Sequence, residues 1–241
     1  MGSGAQKPQV LWRLEDVTKS RRLSCTMPRS MRTPVLDSIG APAAALRWRR
    51  AVAPATARRW LALLDAHEGG SVPLAGVLDI DEVLRALAPR LRPALGGDVD
   101  LLVSQCWGRR ARPPHSWHQD GGLHAAFTEG ETLLPVFTCW LTLTDCGVDA
   151  PSLQWIEPPL AALLAPQELT DGAVRARHDP AAFKHGVFQA GDALAFGGGL
   201  LHRTHLTPHM HQPRTSLELR FVDSRLQTPR LAGETRRPAF V

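Results

Sequence analysis

One short stretch of the sequence carries residues that could bind a metal, the segment 114–121 with His118-Gln119-Asp120 at its centre. If this segment is extended, His118 and Asp120 project to the same face, because side chains two apart share a face of a strand. With a second histidine from elsewhere, they would form the two-histidine, one-carboxylate site of non-haem Fe(II) enzymes, which leaves coordination positions open. A His-x-Asp alone is weak evidence, since a surface histidine beside a turn aspartate has the same spacing.

Two further stretches could complete such a site. In the first, a turn at Gly191 leads into a short apolar strand, a glycine-rich link and a second strand that carries His202. The other begins at Arg214 and continues as a strand to Phe221. Asp192 is interpreted as a turn residue and not as a ligand, because aspartate side chains often hydrogen-bond to the backbone of a turn.

These stretches, in this order and at this spacing, resemble the phytanoyl-CoA dioxygenase family of Fe(II)/2-oxoglutarate oxygenases. The resemblance rests on Trp117-His118-Gln119-Asp120, on Gly191-Asp192 with a histidine eleven residues after the glycine, and on an arginine that opens the next strand. It covers about residues 50–225. The resemblance implies a double-stranded β-helix, a jelly-roll architecture.

The resemblance also implies functions for individual residues. Iron would be bound by His118, Asp120 and His202, and 2-oxoglutarate would chelate the metal. Trp140 matches a tryptophan that lines the co-substrate pocket of the family, and Thr204 matches a small hydroxyl residue that contacts 2-oxoglutarate.

The sequence departs from the family pattern on the substrate side. Asp149-Ala150-Pro151-Ser152 and Glu157-Pro158-Pro159 replace the segment that shapes the substrate site in relatives. The spacing of twelve from His202 to Arg214 is one longer than expected, and the short chain leaves little length for lids. The substrate therefore does not follow from the resemblance.

Two arginines of the last strand could bind the distal carboxylate of 2-oxoglutarate, since a planar guanidinium donates two parallel hydrogen bonds to a carboxylate. Arg214 and Arg220 are an even number apart, so both lie on one face of a regular strand. A hairpin turn near Pro208 would place Arg214 opposite His202, and Arg220 roughly 20 Å further along at about 3.3 Å per residue. We therefore predict that Arg214 is the anchor and that Arg220 is a structural partner of Glu218.

Other histidines and arginines near the motifs have less specific interpretations. His205 is expected on the opposite face from His202, because the two are three positions apart, an odd number. Arg109, Arg110 and Arg112 are interpreted as a solvated loop, with an anionic substrate as the alternative. His209 and His211 are expected in the solvent, and His115 and His124 beside a metal ligand or at the mouth of the site.

The order of the predicted elements places helices first and strands second. Helices are predicted over residues 54–67 and 80–91, with Pro93 beyond the second, and a later helix over 160–169. Strands are predicted over residues 99–107, 117–120, 133–143, 152–156, 187–189, 193–196, 200–205 and 215–222. The pattern predicts an α+β domain, mostly antiparallel β: a cupin-like jelly roll with the N-terminal helices packed on one sheet.

The formal charge of +5 is unevenly distributed. Residues 1–60 contain 12 Lys/Arg and 3 Asp/Glu, whereas the rest of the chain contains 16 and 20. The basic character belongs to the N-terminal segment, and no nucleic-acid binding is predicted for the main body. We predict a basic, partly irregular extension over residues 1–50, the oxygenase domain over 51–225 and a C-terminal tail over 226–241.

The cysteines and the lengths of the apolar runs indicate the cellular location expected for the protein. Cys25, Cys106, Cys139 and Cys146 have no CxxC spacing and are expected to be reduced thiols of a cytoplasmic protein. No apolar run is long enough for a membrane span, and the N-terminus lacks the hydrophobic region of a secretory signal. The Arg- and Ser-rich segment 17–33 leaves a transit peptide open, beside a loosely ordered extension or a later start codon.

The sequence thus predicts a dioxygenase that uses Fe(II), O₂ and 2-oxoglutarate to hydroxylate a small organic substrate, with succinate as co-product. One alternative is a cupin-like metalloenzyme that does not use 2-oxoglutarate. The other is a non-catalytic metal-binding or regulatory protein whose basic segment docks to an acidic partner. Asp120 argues against a halogenase, because chloride replaces the carboxylate in that variant of the family. The substrate and the oligomeric state stay open.

Overall fold

The computed structural model of the protein describes residues 44–95, 99–111, 113–123, 135–225 and 231–238. Its α-helices are α1 (Pro54–Asp65), α2 (Ile80–Leu95) and α3 (Asp171–Arg177). Its first strands are β1 (Leu46–Trp48), β2 (Ser71–Pro73), β3 (Val99–Leu102), β4 (Trp107–Arg110), β5 (Val136–Thr142) and β6 (Ser152–Ile156). The remaining strands are β7 (Phe183–His185), β8 (Ala193–Gly197), β9 (His202–His205), β10 (Thr215–Asp223) and β11 (Thr235–Arg236).

Two antiparallel sheets organise these strands. The large sheet has the order β1-β8-β5-β10-β3-β11, and β4 pairs with both β10 and β2. The small sheet has the order β7-β6-β9. Trp140 and Phe196 of the large sheet share a buried cluster with Leu153 and Trp155 of the small sheet, so the two sheets pack face to face. This jelly-roll arrangement confirms the predicted fold class.

Strand β5 of the large sheet is buried on both faces. All its residues are buried, and successive side chains of a strand point to opposite faces of the sheet. On β5, Phe137, Cys139 and Leu141 belong to the same core cluster as Trp60 of α1 and Leu87 of α2. The N-terminal helices therefore cover the outer face, as predicted. The alternate residues of β5 face the small sheet, and the candidate site lies between the sheets.

Helix α2 begins at a capping aspartate and extends further than predicted. The Asp79 carboxylate accepts hydrogen bonds from the backbone N–H groups of Asp81 and Glu82, at 2.9 and 3.2 Å. The predicted end near Leu91 is wrong, because α2 continues through Pro93 to Leu95. A proline inside a helix removes a hydrogen bond, and burial of the leucines on this face against the sheet offsets that cost.

Other boundaries also differ from the sequence prediction. The helix predicted over 160–169 is absent; the chain forms a 3₁₀ turn at Pro166–Leu169, followed by α3. A residue before proline disfavours the helical conformation, and Ala165 is extended. The strand predicted over 99–107 is interrupted by a 3₁₀ turn at Val103–Gln105. Of the strand predicted over 187–189, only a bridge from Phe188 to Cys146 forms.

Both ends of the described chain contribute to the large sheet. Strand β1 pairs with β8, and β11 pairs with β3. These strands lie in the ranges that the sequence analysis assigned to the extension and the tail, and the proposed division at residues 50 and 225 stays a prediction. No α-helix of the described residues combines the length and the apolar character that crossing a bilayer requires.

Candidate metal centre

Backbone pairing brings the two candidate histidine ligands together. His118 and His202 form an antiparallel bridge in which each N–H donates to the carbonyl of the other at 3.0 Å. Their ring centroids are 4.2 Å apart. This bridge adds the His-x-Asp segment to the edge of the small sheet beside β9.

Asp120 completes a convergent triad. It begins a 3₁₀ turn over Asp120–Leu123, so the extended segment predicted over 117–120 ends before it. Its Oδ1 lies 3.8 Å from Nε2 of His118 and 3.9 Å from Nε2 of His202. One ligand atom from each of the three residues lies within 4.8 Å of the others.

Hydrogen bonds orient both imidazoles for metal binding. Nδ1 of His118 is 2.8 Å from the Ser116 carbonyl, and Nδ1 of His202 is 3.0 Å from the Leu200 carbonyl. A carbonyl only accepts, so each Nδ1 carries the proton and each Nε2 has a free lone pair, as in metal-binding histidines. Burial and the neighbouring His202 lower the pKa of His118 to about 4, which favours its neutral, metal-binding form.

The Asp120 carboxylate is held at both oxygens. The Thr138 hydroxyl donates to Oδ2 at 2.5 Å, and the Arg220 guanidinium donates to Oδ1 at 3.1 Å. Burial by itself raises the pKa of Asp120, but Arg220 and the two histidines outweigh it and hold this pKa well below its usual range. Asp120 is therefore an oriented anion at neutral pH, as a metal ligand must be.

The position of Arg220 contradicts the sequence analysis. The predicted hairpin is wrong, because β9 pairs with β6 in the small sheet whereas β10 pairs with β5, β4 and β3 in the large sheet. Register across β10 and β5 sets Arg220 opposite Thr138, beside Asp120. Arg220 thus contacts the triad instead of lying roughly 20 Å from the site. It also pairs with Glu218, as predicted.

Arg214 is a buried cation with an unsatisfied donor. Its Nη1 donates to the Ser216 hydroxyl at 2.5 Å, and its guanidinium lies 5.4 Å from the centre of the Trp140 ring. Its Nε has no hydrogen-bond partner, and within the described ranges no carboxylate forms an ion pair with it. Burial lowers the pKa of Arg214. Buried charges are normally paired, so this guanidinium can accept an anionic ligand.

A cavity of about 480 Å³ connects the triad with the other candidate residues. Arg214, Trp140 and Thr204 line it, as does Arg220. The Thr204 hydroxyl accepts the backbone N–H of His115 at 3.0 Å, which leaves its own proton for a ligand. Near the triad the wall also has an apolar part, formed by Leu123, Leu153, Leu163, Leu164, Leu169 and Phe196.

Charged residues that the sequence analysis did not assign to the site connect to the triad through Arg220. The Arg220 Nη2 atom lies 3.1 Å from the Glu218 carboxylate, and Arg109 donates to the same Glu218 oxygen at 3.1 Å. Burial raises the pKa of Glu218, but Arg220 and Arg109 lower it overall. The signal for Glu218 was the two-residue alternation of β10, on which Ser216, Glu218 and Arg220 share a face.

The remaining candidates do not belong to the triad, although Arg109, Arg110 and His115 line its cavity. Arg109 and Arg110 are in β4 and not in a solvated loop, and Arg110 donates to the Leu64 and His67 carbonyls at the end of α1. His205 stacks on His185, with ring centroids 4.8 Å apart. Arg112 and His124 lie outside the described residues.

The Gly-Asp turn before β8 has a structural basis. Gly191 has a φ of 93°, a conformation that favours glycine, and an added Cβ would lie 2.4 Å from the Val52 carbonyl oxygen. The Asp192 carboxylate accepts the backbone N–H groups of Arg50 at 2.8 Å and Gln189 at 3.1 Å. This turn leads directly into β8.

No family model matches the sequence, and no curated protein does. Solved structures share the fold. The epimerase SnoN in complex with Fe³⁺, alpha ketoglutarate and nogalamycin RO is 19% identical with a TM-score of 0.54, over 75% of this chain and 79% of that one. EctD from S. alaskensis with 2-oxoglutarate and 5-hydroxyectoine is 15% identical with a TM-score of 0.60, over 79% and 74% of the two chains.

HygX from Streptomyces hygroscopicus with nickel and 2-oxoglutarate is 15% identical, with a TM-score of 0.56, over 78% of this chain and 84% of that one. At these identities the likeness establishes the fold alone. The protein therefore shares the jelly-roll fold of these proteins, and it contains a preformed His-Asp-His triad.

Proposed function

We propose that the protein is an Fe(II)- and 2-oxoglutarate-dependent dioxygenase that hydroxylates a small organic substrate. The observation that carries this proposal is the convergence of the His118, Asp120 and His202 ligand atoms beside a cavity that also contains the unpaired Arg214 guanidinium. Three protein ligands leave positions open for further ligands, and a buried guanidinium whose Nε has no hydrogen-bond partner suits a dicarboxylate.

The donor set fits an iron ion. Two neutral imidazoles and one carboxylate form the facial triad of non-haem Fe(II) enzymes, and the outer hydrogen bonds hold all three side chains in place. Bound iron would supply the redox chemistry that couples O₂ to decarboxylation of 2-oxoglutarate and to substrate hydroxylation. In this proposal His118, Asp120 and His202 are the metal ligands.

The co-substrate site follows from the cavity wall. Arg214 binds the distal carboxylate of 2-oxoglutarate through its unpaired Nε and a terminal nitrogen. Thr204 donates its free hydroxyl proton to the same ligand, and the Trp140 ring covers the guanidinium and excludes water. A charge-assisted hydrogen bond in a dry site is stronger than one exposed to water.

The phytanoyl-CoA dioxygenase family is the proposed subgroup, on the strength of the motifs around His118, Gly191 and Arg214. The structural neighbours include proteins described as an epimerase and a carbocyclase. The experiment must therefore identify the product formed from the substrate. We also propose that the protein acts in the cytoplasm on a small molecule, without nucleic-acid or membrane partners.

The test begins with an anaerobic titration of the protein with Fe(II) and then 2-oxoglutarate, followed by air and measurement of succinate. One Fe(II) per chain, 2-oxoglutarate binding only to the loaded protein and succinate release are expected. Metal binding without 2-oxoglutarate binding would favour the cupin-like alternative. Absence of stoichiometric Fe(II) binding would favour a non-catalytic protein. A metabolite screen for enhanced succinate release then identifies the substrate.

A further inference from the structure

A second carboxylate lies close to the triad without belonging to it. The Glu218 side chain lines the same cavity as Asp120 and is 16% exposed. One oxygen of each carboxylate lies 3.1 Å from the same atom, Nη2 of Arg220. The Asp120 oxygen in this contact is Oδ1, which also faces both histidine Nε2 atoms.

The guanidinium between these carboxylates is fixed on its other side. Nη1 of Arg220 donates to the Gln105 carbonyl at 2.9 Å, in the 3₁₀ turn between β3 and β4. Glu218 is held from behind, because Arg109 donates to its Oε2 at 3.1 Å and to the Ser71 hydroxyl at 2.6 Å. Residues of three strands, β2, β4 and β10, therefore hold the Arg220–Glu218 ion pair in place.

We propose that Arg220 is a positioning residue that keeps Glu218 from becoming a fourth metal ligand. The inference rests on the proposed Fe(II) site. Two carboxylates that share one guanidinium atom, Asp120 buried and Glu218 partly buried, would both be attracted to a divalent cation, and hard carboxylate oxygens suit such ions. Arg220 supplies the positive charge that neutralises Glu218, and its fixed position holds the Glu218 carboxylate away from the metal position. The site thereby keeps three protein ligands and leaves the open positions that a chelating co-substrate needs.

The direction in which Arg220→Gln changes the metal affinity distinguishes this function from simple orientation of Asp120. If Arg220 only orients Asp120, Arg220→Gln weakens metal binding, by about 10- to 100-fold for a typical outer-shell partner. If Arg220 restrains Glu218, the same change releases a second carboxylate toward the metal. Metal binding then becomes tighter, while binding of the anionic co-substrate becomes weaker.

The experiment uses the full chain with Mn²⁺ alone, which binds without air oxidation, and then with 2-oxoglutarate. For Arg220→Gln we expect an Mn²⁺ affinity at least about threefold higher and a 2-oxoglutarate affinity at least about tenfold lower. Water-proton relaxation by the bound Mn²⁺ should fall by about one third, since one of three exchangeable positions of an octahedral ion is filled. These changes should revert in Glu218→Gln/Arg220→Gln, which lacks the additional carboxylate.

Weaker Mn²⁺ binding in Arg220→Gln, or changes that persist in the double variant, would overturn the inference. If Arg220→Gln does not fold, as judged by its thermal transition, Arg220→Lys replaces it, because a single ammonium cannot reproduce the planar bridge. The wild-type protein is the reference for the proposed function itself. Failure of the wild type to bind Mn²⁺ would reject the metal site, whereas normal wild-type binding with an unchanged variant rejects only the function of Arg220.

Discussion

Replacement of Arg214 is the most informative test of the co-substrate site. Arg214→Ala removes a buried guanidinium whose Nε has no partner and which contacts neither the triad nor a carboxylate in the described structure. A hydrogen bond to a charged group is worth about 1.5–3 kcal/mol, and about 1.4 kcal/mol corresponds to a factor of ten. Loss of one such bond therefore raises the KM for 2-oxoglutarate at least about tenfold, and loss of two about a hundredfold or more.

The assay is succinate release at saturating Fe(II) with varied 2-oxoglutarate. Fe(II) affinity in the absence of 2-oxoglutarate should be unchanged, because Arg214 does not hold any of the three ligands. Arg203→Ala is the matched control. Arg203 lines the same cavity, but its guanidinium already pairs with Gln154 and Asp171. Its loss should change the KM for 2-oxoglutarate by no more than about twofold, since partly exposed ion pairs contribute little.

Thermal stability offers an independent check. An uncompensated buried charge destabilises the folded state, so Arg214→Met should melt no lower than the wild type without ligand. Ligand at about 100 times its Kd stabilises a protein by about 2.7 kcal/mol, so adding 2-oxoglutarate to the Fe(II)-loaded protein should raise the melting temperature of the wild type further and not that of Arg214→Met. An unchanged KM in Arg214→Ala, together with full stabilisation of Arg214→Met by 2-oxoglutarate, would refute Arg214 as the anchor.

Three further outcomes are expected. His118→Ala and His202→Ala should each abolish succinate release and weaken Fe(II) binding by more than the 10- to 100-fold typical of outer-shell partners, whereas His205→Ala should not; anaerobic Fe(II) titration checks this. Leu87→Ala should lower the free energy of unfolding by about 2–5 kcal/mol in denaturant titration, because Leu87 is fully buried between α2 and the large sheet. Deletion of residues 1–30 should leave the melting temperature and Fe(II) affinity nearly unchanged, since the sequence there has no periodic apolar face.

Much of the jelly roll is visible in local sequence patterns. Strand β6 was predicted with its observed limits, and β10 within one residue, because runs of β-branched and apolar residues bounded by turns indicate strands. The region 160–169 was predicted incorrectly, because its leucines have helical spacing but pack against Trp117 and Val174 in an irregular segment that ends at a proline. Tertiary packing there outweighed local propensity.

The sequence by itself determined which side chains could form the triad, since the His-x-Asp pair and the histidine after the Gly-Asp turn are identified by their own short-range spacing. It also indicated Arg214 through the family resemblance. Only the tertiary structure decided how Arg220 and Glu218 relate to these residues. Chain order suggested a β9–β10 hairpin, but the two strands belong to different sheets. Pairing of β10 with β5 set Arg220 beside Asp120, because contacts across a sheet depend on which strands pair and in what register.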